Sequence, residues 1–80
     1  MSDTLDLPTL LRVRRAARRL SQERTGLAIG VTFYRYRRLE SAMERPTEEE
    51  LAELARFFEL TPKALRAAIA ATEYRAGAAA

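Results

Sequence analysis

The sequence specifies an all-α fold, a bundle of five short helices. Three features predict it. Ala, Leu, Arg and Glu dominate the chain, all strong helix formers, while valine and isoleucine are few. There are only three glycines and three prolines, so breaks in helical order are scarce. Five times along the chain a capping residue (Asp6, Ser21, Thr32, Thr47, Thr61) precedes a stretch able to form a helix.

The first helix is expected over about residues 7–19. Asp6 is its N-cap, and Pro8 sits in the first turn, where its missing N–H leaves no bond unmade. Leu10, Val13, Ala17 and Leu20 recur at helical spacing, with Leu11 and Ala16 beside them. The second helix covers about 22–29, capped by Ser21, with Glu23 at the end where a negative charge is favoured. Gly26 inside it costs about 1 kcal/mol against alanine, which predicts close packing against a neighbouring helix. Gly30 supplies the turn with a positive φ. Thr32 caps the third helix, about 33–41, and Val31 with Tyr36 fits a hydrophobic staple. Pro46 breaks the chain, and Thr47 with Glu50 forms a capping box for a fourth helix over about 48–58. Leu51, Leu54, Ala55 and Phe58 are its buried stripe. Thr61-Pro62 starts the fifth helix, which buries Leu65, Ala68 and Ile69 and runs to about Arg75. Residues 76–80 are expected to be a flexible tail. No linker divides the chain, so residues 1–75 read as one domain.

Composition excludes several chemistries. Without cysteine there is no disulfide framework and no thiolate metal site. Without histidine the commonest general base and the commonest zinc ligand are missing. The carboxylates do not form a calcium-loop pattern. No nucleophile–base pair or phosphate-binding loop is apparent, so the chain is not expected to be an enzyme, to carry a cofactor or to take a small-molecule substrate. No apolar run approaches the roughly 20 residues that span a bilayer, and Met1-Ser2-Asp3-Thr4 lacks the basic flank of a signal peptide. A cytoplasmic protein without membrane contact is the expectation.

Charge is unevenly distributed. Residues 1–45 hold ten Arg and five acids, whereas residues 46–80 hold four bases and six acids. From Arg12 to Arg38 there are nine arginines and one acid, Glu23. A basic half on a small domain is the footprint of a polyanion partner.

The second and third helices, joined by a glycine turn, form a helix-turn-helix inside that basic half. Helical spacing puts Tyr36, Leu39 and Met43 on the inward side of the third helix. Phe33, Tyr34, Arg37, Arg38 and Ser41 fall on the other side, with Arg35 between. Arginine pairs bidentately with guanine O6 and N7 or with a phosphate, so the outward side suits the major groove of double-stranded DNA. Exposed aromatics ringed by arginine also suit a protein partner, which is the alternative reading: a protein-interaction module anchored by Phe33 and Tyr34.

Residues 20–40, LSQERTGLAIGVTFYRYRRLE, resemble the Cro/phage-repressor (Xre-like) helix-turn-helix family. The resemblance is carried by Leu20-Ser21-Gln22, Gly30-Val31-Thr32 and Leu39-Glu40, with Arg15 five positions upstream. It continues through Arg45-Pro46-Thr47, Leu51, Leu54, Ala55 and Leu60-Thr61-Pro62, and covers roughly residues 7–70. It implies a lambda-repressor-like DNA-binding domain, bacterial or phage-encoded, acting as a repressor-like transcriptional regulator. It also implies an Arg15–Glu40 salt bridge. Gln22 and Thr32 would contact phosphates, with Ser41 and Arg45 flanking them. Phe33, Tyr34, Arg37 and Arg38 would face the bases and groove walls, and Arg35, between the faces, is counted among the DNA-binding residues. Members commonly act as homodimers, and the Ala-rich fifth helix with Leu65, Ile69 and Tyr74 is the candidate interface. Three departures stand out. Thr25-Gly26 replaces Leu-Ala in the second helix, Ala42 replaces a glycine after the third, and Glu44 adds an acid to the loop that approaches phosphate. The loss of that glycine leaves the third helix free to run on toward Met43.

Overall fold

The computed structural model describes residues 4–75, in which five helices and no strand are present. They are α1 Leu7–Ala17, α2 Gln22–Ala28, α3 Phe33–Glu40, α4 Glu48–Phe58 and α5 Pro62–Ala70. Each begins at the residue whose side chain can satisfy an orphan amide. Asp6 accepts from Thr9 N, Ser21 from Arg24 N, Thr32 from Arg35 N, Thr47 from Glu50 N and Thr61 from Ala64 N, all at 3.0–3.1 Å. Each such cap stabilises its helix by about 1 kcal/mol. Glu50 closes the capping box by accepting from Thr47 N at 2.8 Å.

The helix ends depart from the sequence reading, and the reason is local. The first helix stops at Ala17 and not at Arg19, because Arg19 takes a left-handed φ of 55° and Leu20 N–H folds back to Arg15 O. The third helix does not run on toward Met43. Ala42 adopts φ 62° despite its Cβ, and Met43 N–H caps Arg38 O. The fifth helix, expected to reach Arg75, ends at Ala70. The Thr72 hydroxyl donates to Ala68 O at 2.7 Å and accepts from Leu7 N at 2.8 Å, so it ties the chain to the start of α1. Arg75 N–H then reaches Ala42 O at 3.1 Å. Residues 72–75 are therefore an extended strap. The expected tail, residues 76–80, lies outside the described residues.

The core comprises Leu7, Leu11, Ile29, Tyr36, Leu51, Leu54, Phe58, Leu65 and Ala68. α3 packs against α1 and α2, and α5 against α1 and α4. Several residues of the expected inward stripes are exposed instead, among them Val13, Ala16, Ala17 and Met43. Val13 is 51% exposed: it lies two residues past Leu11, and residues at that spacing do not share a helix face. Met43 is exposed because the left-handed turn at Ala42 takes it off the face of α3.

Candidate nucleic-acid interface

α2 and α3 meet closely because Gly26 lets them. A Cβ placed there would stand 3.3 Å from both Thr32 O and Tyr36 Cβ. Gly30, at φ 81°, turns the chain, and Val31 N–H bonds Gly26 O at 2.9 Å. Thr25, in place of an apolar residue, is fully buried and satisfies its hydroxyl on Ser21 O at 2.8 Å. The departures in α2 are thus absorbed by the helix itself.

The inner side of α3 is pinned by a charged pair. Glu40 is only 3% exposed and accepts from Arg15 Nε at 2.9 Å and Arg15 Nη2 at 2.8 Å, the ion pair expected from the sequence. Arg15 also donates to Leu20 O at 2.9 Å. Gln22, expected to meet a phosphate, is half-buried and donates its amide N–H to Glu40 at 2.9 Å. Its geometry in the free protein is that of a brace between α2 and α3. The Tyr36 hydroxyl is buried beside this group, and burial first, then the Glu40 carboxylate, raises its pKa.

The outer side presents most of the residues assigned to it. Tyr34 is 72% exposed, Phe33 and Arg38 are exposed, and Arg37 lies over the Phe33 ring at 5.4 Å. Phe33 and Tyr34 are neighbours, with ring centroids 5.8 Å apart. Tyr34, Arg37, Arg38, Ser41 and Met43 line a shallow groove of about 200 Å³. The Thr32 hydroxyl is committed to its cap, accepting from Arg35 N at 3.1 Å.

Arg35 is not part of this surface, which corrects its assignment. It is 24% exposed and turned onto α4. Its Nε and Nη2 grip both oxygens of Glu50 at 2.8 Å, Nη1 meets Glu44 at 2.9 Å, and Nη2 reaches Arg45 O at 3.1 Å. The hydrogen bond to Glu50 first, and the charges of Glu50 and Glu44 after it, raise the Arg35 pKa over an opposing desolvation. Arg35 therefore fixes the start of α3 against the start of α4. Glu44 also reaches Arg38 at 3.3 Å, so the acid in this loop partly neutralises an outward arginine. Arg45 stands over the Tyr74 ring at 4.7 Å.

The fifth-helix interface needs the same correction. Leu65 is 1% exposed and belongs to the core, Ile69 packs against that core, and Tyr74 is under Arg45. Of the three, Leu65 is wholly in the core, and Ile69 and Tyr74 are half-buried. Sequence reasoning also missed Glu50 as the clamp on Arg35. Its capping-box spacing was visible, but its second bond comes from 15 residues away.

Among the described residues, no group of three or more His, Cys, Asp or Glu is placed to hold a metal ion. No helix among the described residues is long and apolar enough to cross a membrane. Two closely packed helices joined by a tight turn, with the second displaying arginines outward, form a helix-turn-helix. A helix-turn-helix family model matches residues 11–65, well over half of the chain. The chain belongs to the Cro/phage-repressor (Xre-like) helix-turn-helix family, a family of DNA-binding regulators. No curated protein matched it, and neither did any solved structure.

Proposed function

We propose that the protein is a sequence-specific regulator that binds double-stranded DNA, repressor-like in action, with α3 in the major groove. The observation that supports this best is the outward face of α3. It sets Phe33, Tyr34, Arg37 and Arg38 on one side of a helix whose other side is fastened by Arg15–Glu40 and Arg35–Glu50. A reading helix needs that rigidity, because bidentate base contacts tolerate little misplacement. Arg37 and Arg38 are the base-reading candidates, Ser41 and Arg45 the flanking phosphate contacts, and Thr32 with the amides at the start of α3 another.

One such domain covers a half-site, so two copies are proposed to bind together, with half-sites about 34 Å apart. Selection from random duplex DNA at two salt concentrations tests the reading. The expected product is a palindromic sequence bound with an affinity that falls steeply and linearly on a log–log salt plot. An asymmetric product would remove the homodimer. No enrichment, with tight binding to an acidic protein instead, would favour the alternative role of Phe33 and Tyr34 as a protein anchor.

A further inference from the structure

We propose that the strap, residues 72–75, is part of the DNA interface: Arg75 is a phosphate contact beside Arg12, and Tyr74 positions Arg45. This inference rests on the DNA-binding reading above and extends its footprint beyond the helix-turn-helix.

The strap runs along a polar groove of about 720 Å³ between the start of α1 and the end of α3. Gln22, Arg37 and Ser41 line this groove, so it is continuous with the candidate interface, and Arg12 and Arg75 line it as well. Only part of its charge is matched. Glu40 is held by Arg15, and Asp6 caps α1 through Thr9 N while lying near Arg12. Among the described residues, Arg37 has the Phe33 ring beside it and no ion pair, and the exposed Arg75 side chain has no acid partner. Among the described residues, the groove acids Asp6 and Glu73 form no ion pair, and of the two Glu73 lies on the strap itself. A polyanion whose phosphates lie on α3 would bring the next phosphates to these arginines.

The strap is held rather than draped. Thr72 accepts from Leu7 N at 2.8 Å, and Arg75 N–H bonds Ala42 O at 3.1 Å, in the turn that follows α3. Between these two ties the Tyr74 ring lies 4.7 Å from the Arg45 guanidinium. Its hydroxyl is buried without a hydrogen-bond partner. The ring, and not the hydroxyl, is what Arg45 uses: a π face that restrains a flexible cation.

The test uses a labelled mixed-sequence duplex, with affinity followed by anisotropy across a salt series. Arg75→Gln and Arg12→Gln should each weaken binding and make the log–log salt slope shallower by about 0.9. Glu73→Gln should strengthen binding, a sign that loss of fold cannot produce. Tyr74→Phe should bind like the parent, while Tyr74→Leu should weaken binding as far as Arg45→Gln does. If Arg75→Gln and Glu73→Gln match the parent while Arg37→Ala loses binding, the strap lies outside the footprint and the DNA reading stands. If the parent protein binds no duplex, both fall.

Discussion

At the residue scale, Glu40 is the most constrained group in the molecule. Burial by itself would raise its pKa, but the hydrogen bonds of Arg15 first, then that of Gln22, hold the carboxyl below its ordinary 4.5. The Arg35 hydrogen bond does the same for Glu50, as the Thr9 bond does for Asp6. A carboxyl whose folded pKa lies below its unfolded one stabilises the fold fully above the unfolded value. That stability is lost as pH falls through the folded value. With no histidine in the chain, unfolding free energy should be nearly flat from about pH 5 to 8 and fall below pH ~4.5. Glu40→Gln should flatten that acid limb. It should also cost about 3 kcal/mol at neutral pH, because it leaves the largely buried Arg15 without its counter-charge. Urea titrations across pH measure both; an unchanged acid limb would remove Glu40 as its source. The Arg15–Glu40 pair was legible in the sequence because both residues keep their places in the family's spacing. The inward turn of Arg35 was not. Its position on the helix puts it at the boundary between faces, and Glu44 and Glu50, arriving from the loop and α4, decide the side.

At the scale of elements, every helix start was legible and several ends were not. A start is written locally: an oxygen-bearing cap accepts the amide three residues on, as at Asp6, Ser21, Thr32, Thr47 and Thr61. An end is usually announced by glycine in the left-handed region. Here Arg19, Ala42 and Glu59 take that conformation instead, at φ 55–62°, so the stops carry no signal. The strap is invisible for a related reason: its ties run from Thr72 to Leu7 and from Arg75 to Ala42, far apart in sequence. Gly26 tests the packing of α2 on α3. Alanine there would gain about 1 kcal/mol in helix propensity. Its methyl would press at 3.3 Å on a backbone oxygen and on a buried Cβ, neither of which can swing aside. Overpacking of that kind costs about 1–3 kcal/mol, so Gly26→Ala should lower the melting temperature. A higher melting temperature would show slack between the two helices.

At the scale of the whole molecule, the candidate interface is assembled from parts that are distant in sequence. α3 supplies the reading face, the following loop supplies Arg45, α1 supplies Arg12, and the strap arrives from the far end of α5. The basic half of the sequence pointed to a polyanion, yet it could not show that Arg75, in the acidic half, joins the same surface. Nor could it show that Leu65 is spent on the core and not on the apolar face proposed for pairing. The central claim is that Arg37 and Arg38 read bases. It is tested most directly by mapping base preferences of Arg37→Ala and Arg38→Ala on the selected duplex, with Arg66→Ala on α5 as a control of equal charge loss. Each α3 variant should lose about 1–3 kcal/mol of binding and relax preference at one position, while Arg66→Ala should leave the preference map intact. Unchanged preference maps in all three variants would contradict the claim.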